Sequence, residues 1–337
     1  MHDTFSAADT DTEPDSGLIF GRVLDGAGGG RPIAWAEARD WRPSGNGEVL
    51  WLHIDRTAPD LEGWLQRTLG ASETTAAVLV SNETRPRAFQ EGDSLITVLR
   101  GVNLNAGAKP ADMIAMQIWA DARRVISFRR RRLQTPRDVL AQIDAGDGPR
   151  TTGDVVAALV EQLVARMNQS ILAMNALIDE LEDGALNSDP DALMGRITEI
   201  RRSCLALKRH MSPQHDALME VQRSAPDWMS EENRTDVRET VDRLRRFLDD
   251  IDVSKESALV LLDDANSRAA AEMNQTMYML SIVAAVFLPL SFVTGLLGIN
   301  VGGMPGVESS AAFWITVGLL TGLLGLELYI FKRLKWL

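Results

Sequence analysis

The feature that most constrains this chain is a long stretch without helix-breaking residues, between Pro226 and Pro289. Its roughly 60 residues include no glycine and no proline, and both of these residue types disfavour the interior of a helix. At about 1.5 Å per residue, one helix over this stretch would be on the order of 90 Å long. Residues 235–272 are charged and amphipathic, whereas 273–297 carry no charge. The sequence therefore predicts a stalk helix that starts in water and ends in a lipid bilayer.

Two apolar segments near the C-terminus each have the length needed to cross a bilayer. They cover about 277–297 and 311–331, and roughly 20 apolar residues suffice for a transmembrane helix. The outer loop between them, 298–310, contains no lysine or arginine, whereas three basic residues follow the second span: Lys332, Arg333 and Lys335. The positive-inside rule then places the loop outside and both termini in the cytoplasm. We predict a transmembrane domain over 277–337.

The chain ahead of the stalk alternates between strand and helix patterns. Runs rich in Ile, Val, Leu and Phe predict strands, with turn residues between them: 49–55, 94–102, 113–120 and 124–128. Thr57 is the predicted N-cap of a helix over 59–69. This alternation predicts an α+β cytoplasmic domain over 18–150.

A helical region, including the stalk, is predicted over 151–276. From Val155 to Gly184, apolar residues recur at spacings of three and four, which predicts one helix. A second helix is expected from Asp191 toward Arg223. The fold class that follows is an α+β cytoplasmic domain, then a long stalk helix and two transmembrane helices.

Charge and composition narrow the possible partners. The net charge of −12 argues against nucleic acid and favours cations. The run 129–132 is all arginine, but the acidic total favours a strand end whose arginines pair with carboxylates. Residues 1–17 are polar and acidic and lack an apolar signal region, so we expect a disordered head and a cytoplasmic location for the large N-terminal part.

One face of the first span is small or polar over most of its length. We call it the pore-lining stripe: Asn274, Met277, Ser281, Ala284, Leu288, Ser291 and Gly295. Small and polar residues inside a membrane mark either a helix interface or a water-filled path. Two spans of one chain cannot enclose a pore, but a homo-oligomer with closed symmetry can. The sequence therefore predicts an oligomer whose copies of this face surround a cation path, with close helix packing as the alternative.

The segment Gly298-Ile299-Asn300 ends the first span. Taken alone, Gly298 is explained as a helix C-cap and Asn300 as a turn residue. In a ring of subunits, each Asn300 would instead present an amide oxygen to the axis and hold a hydrated divalent cation weakly enough to release it. Glu308 is the one acid in the outer loop, and it either attracts cations to the entrance or is an ordinary solvated residue.

At this point the sequence resembles the CorA-type metal ion transporter family, over nearly the whole chain. The shared features are the α+β domain, the long stalk, the two C-terminal spans and the Gly-x-Asn motif. Ile299 stands where most of that family has methionine, and several segments look like its ZntB zinc transporter branch: 85–87, 99–105, 298–300 and 302–306. The resemblance implies a funnel-shaped homopentamer with Asn300 at the selectivity site. It also implies proton-coupled Zn²⁺ uptake across a bacterial inner membrane, and a Mg²⁺ or Co²⁺ channel of the same architecture is the alternative.

Further candidate residues lie outside the stripe. Glu327 is an acid inside the second span, so it is a candidate for proton-linked transport. Snorkelling toward Lys332 or Arg333 is the favoured alternative for it. His210, His215 and Cys204 are soft ligands that suggest a zinc-sensing site in the soluble part. The favoured alternative is that they have no metal-binding role.

No catalytic arrangement is apparent in the sequence. It contains no phosphate-binding loop and no HExxH motif, and we find no nucleophile beside a base. We therefore expect neither an enzyme nor a bound cofactor, only a transported cation. A membrane-anchored sensor that conducts nothing is a further alternative, against which the polar stripe argues.

Overall fold

The computed structural model describes residues 17–45, 47–108, 112–184, 190–299, 306 and 309–334. The chain divides into two compact units, Met1–Leu262 and Asp263–Leu337. We call them the soluble unit and the membrane unit. Of the predicted disordered head, residues 1–16 lie outside the described residues.

The soluble unit contains a seven-stranded sheet in the order β2-β1-β3-β7-β6-β5-β4. Only the central pair β3–β7 is parallel among the pairs that join these strands. The strands are β1 Leu18–Leu24, β2 Gly30–Pro32, β3 Val49–Asp55, β4 Arg87–Glu91, β5 Ser94–Val102, β6 Met113–Ala120 and β7 Arg124–Arg129. All four predicted strands are confirmed, and the fourth extends one residue further, to Arg129.

Short helices cover one face of the sheet, and longer ones cover the other. Leu52, Ile126 and Phe128 alternate toward the first face and pack in one core with Ala76 and Leu79, because successive strand residues point to opposite sides. Three helical segments belong to this layer: α1 Trp35–Ala38, α2 Leu61–Trp64 and α3 Glu73–Val80. On the other face, a Cβ at Gly101 would lie 2.5 Å from Leu163, so a helix approaches that strand closely.

The helices after the sheet are long, and one prediction about them is wrong. They are α4 Thr135–Ala145, α5 Thr152–Ala165, α6 Met167–Gly184, α7 Pro190–Arg223, α8 Glu231–Leu297 and α9 Ala312–Arg333. The single helix predicted from Val155 to Gly184 is two helices, α5 and α6. The break falls at Arg166, whose backbone remains in the right-handed helical region. Its guanidinium pairs with Asp138 of α4, a tertiary contact that the apolar spacing does not report.

The predicted helix over 59–69 also differs from the structure. Helix α2 begins at Leu61, after Asp60 in a left-handed conformation at φ 55°, and a π-helical turn covers Leu65–Leu69. Thr57 is therefore not an N-cap. Its backbone N–H and its hydroxyl both donate to the Asp55 carboxylate, at 2.9 and 2.6 Å, so the hydroxyl oxygen is not placed at the first turn of the helix.

Helix α8 confirms the predicted stalk and first span as one element. It runs for 67 residues, about 100 Å at the usual rise, and continues through Pro289. Its start is capped reciprocally: Asn233 N–H donates to the Ser230 hydroxyl, and Ser230 N–H donates to the Asn233 amide oxygen, both at 3.1 Å. Helices α8 and α9 are both long and apolar enough to cross a membrane. The predicted fold class is thus confirmed.

Candidate cation pathway along the membrane-spanning helices

The pore-lining stripe is exposed along its whole length in the membrane unit. All seven of its residues are solvent-accessible; Met277 is 58% exposed and Leu288 is 68% exposed. From Asn274 to Gly295 the stripe spans about 32 Å of helix, close to the roughly 30 Å hydrocarbon thickness of a bilayer. A surface of this length is available to a second copy, to lipid or to water.

The opposite side of α8 is partly covered. Its half-buried residues form a second stripe, which we call the covered stripe of α8: Ile282, Ala285, Val286, Leu290 and Val293. At about 100° per residue, Ala284 lies roughly 200° around the helix from Ile282. The pore-lining stripe and the covered stripe therefore occupy opposite faces of the same helix.

Helix α9 has a covered stripe of its own. Its half-buried or buried residues recur at spacings of three and four: Ala312, Thr316, Leu320, Leu323, Leu324, Glu327 and Phe331. Because α8 and α9 are the two helices described in the membrane unit, we infer that their covered stripes lie against each other. The pore-lining stripe belongs to neither covered stripe. Sequence reasoning missed this second pair of faces, although the spacing of the α9 residues contains the signal.

The polar groups on the pore-lining stripe are neutral oxygen atoms and one thioether. The Ser281 hydroxyl donates to the Met277 carbonyl oxygen at 2.8 Å, so its proton is used within the helix and its oxygen remains an acceptor. Asn274 adds an amide and Met277 a thioether. A neutral lining of this kind suits the passage of a hydrated cation, because it offers oxygen acceptors and no ligand set that would hold the ion tightly.

The C-terminal end of α8 is described only as far as Ile299. Gly298 follows the last helical residue, and its N–H donates to the Thr294 carbonyl at 2.9 Å and the Gly295 carbonyl at 3.2 Å. Its φ is not left-handed, so it does not form the glycine C-cap geometry that the simplest interpretation required. Ile299 is 46% exposed. Asn300 and Glu308 lie outside the described residues, so their roles stay predictions.

Glu327 lies on the covered stripe of α9. Both of its carboxylate oxygens are buried, and neither has a hydrogen-bond partner within the described part of the chain. No ion pair joins it to Lys332 or Arg333 among those residues, which leaves the snorkelling interpretation without a contact to support it. The carboxyl group of this acid, in a candidate membrane span, is thus buried and unpaired among the described residues.

The soft-ligand candidates of the soluble unit do not converge. The pKa of His210 is lowered by burial and by the nearby positive charges of Arg100 and Arg209, a setting that disfavours a cation. Cys204 is buried with its Sγ 3.1 Å from Met174 Sδ, and burial raises the pKa of its thiol to about 11. His215 Nδ1 lies 3.6 Å from an Asp216 carboxylate oxygen. Across the described ranges, no group of three or more His, Cys, Asp or Glu residues is placed to hold a metal.

The sequence matches a family over most of its length. The match covers residues 46–333 and the family is described as CorA-like Mg²⁺ transporter protein. The chain belongs to this family. Because CorA family members are ion transporters and not enzymes, the chain is a divalent cation transporter of the CorA type. The predictions of the family and of a non-enzyme are thereby confirmed.

Relatives cover nearly the full length of the chain. The divalent cation transporter CmaX of Pseudomonas aeruginosa is 39% identical over 329 residues, which are 96% of this chain and 98% of that protein. The zinc transport protein ZntB of Pectobacterium atrosepticum is 32% identical over 322 residues, or 96% and 97% of the two chains. Both are similar to this CorA-family chain from end to end, so its soluble and membrane parts are shared with them.

Solved structures of relatives have the same fold. The structure of the full-length CmaX protein superposes with a TM-score of 0.84 at 37% identity, covering 97% of this chain and 100% of that one. The complete CorA magnesium transporter from Methanocaldococcus jannaschii gives a TM-score of 0.79 at 16% identity, covering 94% and 98%. The second likeness shows a common fold only.

Proposed function

We propose that the chain carries Zn²⁺ into the cell along a path that several copies of α8 surround. The observation that supports this most directly is the exposure of the pore-lining stripe on the side of α8 opposite its covered stripe. One chain cannot close a path with that face, but a symmetric homo-oligomer can. The resemblance to CorA-type transporters suggests five copies.

The outer mouth is the proposed selectivity site. A ring of Asn300 amides, one from each copy, would contact the water shell of the ion, and Glu308 would raise the local cation concentration. The segment 298–310 contains no histidine or cysteine, the ligands that zinc favours in tight sites. Transit of the hydrated ion therefore fits this mouth better than a high-affinity site.

Zinc is the proposed cargo because relatives similar over the whole chain are named zinc transport proteins. A divalent ion moving inward gains about 4.6 kcal/mol per 100 mV of membrane potential, twice the value for one charge. Voltage alone is thus a sufficient driving force. Proton coupling of this uptake is proposed from the resemblance to the ZntB branch.

The proposed location is a bacterial inner membrane, with the termini in the cytoplasm. Lys332 and Arg333 occupy the last turn of α9, where the positive-inside rule expects cytoplasmic residues. Trp314, at the other end of α9, is 72% exposed, as interfacial tryptophans are. Cysteines introduced one at a time at positions 309–311 and 334 would test this orientation: a membrane-impermeant thiol reagent added outside should label the first group and not the second.

Metal flux into proteoliposomes tests the pathway. Ala284→Phe places a large ring on the pore-lining stripe, and we expect it to abolish Zn²⁺ uptake. Val283→Phe is the matched control, because Val283 is 47% exposed and lies about 100° away around the helix. Equal uptake by both variants would show that the stripe does not line the path, provided that both elute as the same oligomer.

Competition between metals tests the cargo. With Zn²⁺ and Mg²⁺ supplied together, we expect Zn²⁺ uptake to dominate. The alternative is a Mg²⁺ or Co²⁺ channel, which the family description as a Mg²⁺ transporter favours. Mg²⁺ flux well above Zn²⁺ flux would establish that alternative and leave the pathway itself intact.

A further inference from the structure

Glu327 is the one acid in the sequence of α9. It follows Ala312 by 15 residues and precedes Arg333 by six, so it lies about 22 Å from one end of the helix and about 9 Å from the other. At this depth an ionisable group is costly in a membrane, and such groups are retained mainly for function. The proposed pathway does not use it, because it does not belong to the pore-lining stripe.

The carboxyl group is enclosed and unpaired. Both oxygens lack exposed surface and lack hydrogen-bond partners within the described part of the membrane unit. Ser and Thr hydroxyls on the same two helices donate instead to carbonyls of their own helix, as Ser281 and Thr316 do, at 2.8 and 3.0 Å. Glu327 is therefore not held as part of a polar network.

The groups that face Glu327 are almost all uncharged. The covered stripe of α8 consists of Ile, Ala, Val and Leu residues and includes no titratable side chain. The nearest titratable residue on that side of α8 is Tyr278, one turn before Ile282. On α9 itself the charged residues are Lys332 and Arg333, in its last turn. Apart from Glu327 itself, neither covered stripe contains a carboxylate or a histidine.

Enclosure of this kind acts differently on the two forms of the carboxyl group. An ionised carboxylate without a hydrogen-bond donor or cation beside it loses its hydration and gains nothing in return. A neutral carboxylic acid loses much less.

We propose that Glu327 binds the proton that accompanies cation transport. When the covered stripes of α8 and α9 separate, the Oε–H bond breaks and the proton passes to a water molecule, which leaves a carboxylate. When a proton from water re-forms the Oε–H bond, the stripes close on the neutral acid. The proton thus alters the packing behind the pore-lining stripe, without entering the cation path. This inference rests on the proposed zinc transport and adds the proton-binding group to it.

Zinc uptake with and without a pH gradient, at zero membrane potential, tests the assignment. We expect a pH gradient to change uptake by the wild-type protein, and Glu327→Gln to abolish that change while uptake without the gradient persists. Glu327→Asp retains a carboxyl group and should restore the response to the gradient. Glu272→Gln is the matched control, because it removes an exposed acid from α8 and should leave the response unaltered.

A second measurement reads the proton directly. Infrared difference spectra of the wild-type protein should contain the C=O band of a protonated carboxylic acid, and Glu327→Gln should lack it. A full response to the gradient in Glu327→Gln, or an identical band in that variant, would overturn the proposal. Absence of any gradient effect in a wild-type protein that still transports zinc would also overturn it and would remove proton coupling, while leaving the proposed zinc path in place. Failure of the wild-type protein to transport zinc at all would instead remove the proposed function.

Discussion

One buried polar group in the soluble unit has a full set of hydrogen-bond partners, whereas one in the membrane unit has none among the described residues. In the soluble unit, the Ser127 hydroxyl lies between β3 and β7: it accepts from Trp51 Nε1 at 3.0 Å, lies 2.9 Å from His53 Nδ1 and donates to the Leu52 carbonyl oxygen at 3.2 Å. In the membrane unit, both oxygens of Glu327 are buried without such partners. The hydrogen bonds of Ser127 join the central strands. Glu327 makes no such bond that would hold α9 in one position. Other buried side chains of the soluble unit, such as Gln117, also lack partners among the described residues, so the contrast concerns these two groups and not the units as wholes.

The apolar residues of the two units differ in their exposure. Leu52, Ile54 and Ile126 of the soluble unit are fully buried, whereas Leu288, Phe292 and Trp314 of the membrane unit are 68%, 70% and 72% exposed. Burial of apolar surface is therefore a sound measure of stability only in the soluble unit. In the membrane unit the exposed apolar surface is available to contact lipid or another copy of the chain.

The largest expected effect comes from one substitution made in both units. Leu52→Ala should lower the free energy of unfolding by about 2–5 kcal/mol, because it leaves a cavity in a packed core. Leu288→Ala, at a residue 68% exposed, should leave it unchanged. Urea denaturation of the full-length protein in detergent, followed by tryptophan fluorescence, measures both. Similar losses would mean that the membrane unit is packed internally as tightly as the soluble one.

The second prediction concerns acidification. Burial, with the positive charges of Arg129 and Arg137, holds the pKa of His53 well below its usual range. In the unfolded chain His53 binds a proton near pH 6.5, and in the folded chain it does not. The contribution of neutral His53 to the free energy of unfolding is therefore complete above that pH and decreases below it. The slope can reach about 1.4 kcal/mol per pH unit, the limit for one proton, over the range in which the folded ring stays neutral.

His53→Gln should flatten this pH dependence while lowering stability at pH 7. His210→Gln is the control, because the pKa of half-buried His210 is also lowered but its ring is less enclosed, and it should flatten the curve less. A steep wild-type slope that survives in His53→Gln would show that another group dominates. The membrane unit contains no histidine, so cation flux should not follow the same curve.

The same contrast explains which elements were predictable. Strands β3, β5 and β6 are fully or largely buried apolar runs, and their composition alone identifies them. Strands β2 and β4 are edge strands with exposed or half-buried residues, and β2 is three residues long. Their formation depends on a neighbouring strand, which the local sequence does not report.

In the membrane unit the pore-lining stripe stays a prediction, made because polar and small residues are unusual on one face of a span; the structure shows that its residues are exposed. Its counterpart, the covered stripe, is as apolar as the lipid-facing surface, so only three-dimensional packing separates the two. Glu327 was recognised as a candidate, but its lack of a partner required coordinates. Likewise, Cys204, His210 and His215 are close in sequence, yet they lie roughly 240° and 140° apart around α7.

A third, smaller effect is expected where two helices start. Asn233 Nδ2 donates to the Asp154 carboxylate at 2.6 Å, joining the first turns of α8 and α5, and a Cβ at Gly153 would lie 2.0 Å from the Asn233 amide oxygen. Asn233→Ala should cost about 1–3 kcal/mol, because a buried partner of a charged group is lost. Asn266→Ala, at an exposed position in the membrane unit's part of α8, is the control and should cost much less.

The stability contributed by this contact also depends on pH, but for a different reason from that of His53: hydrogen bonds, and not burial, determine the shift. Burial alone would raise the pKa of Asp154, but hydrogen bonds from Asn233, Arg150 and Thr151 outweigh it and leave the pKa lowered. Its contribution is therefore present above the unfolded value near 3.9 and is lost as pH falls through the folded value. The stability difference between wild type and Asp154→Asn should shrink below about pH 4. A constant difference at all pH values would show that the pKa of Asp154 is the same in the folded and the unfolded chain.

The smallest effect separates ion pairs between helices from those within one. Lys208 of α7 donates to both Asp252 carboxylate oxygens of α8, at 2.7 and 2.6 Å, and these bonds lower the pKa of Asp252. Both side chains are about two-fifths exposed, so Lys208→Met should cost only about 0.2–1 kcal/mol and less at high salt. Arg268→Met, which breaks a 2.6 Å pair with Asp264 inside α8, is the comparison. The first pair links two helices, and the second links two residues of one helix. A larger loss for Lys208→Met in urea midpoints at low salt would show that contacts with α7 hold α8 in place. Equal losses would show that both pairs are surface contacts of the same kind.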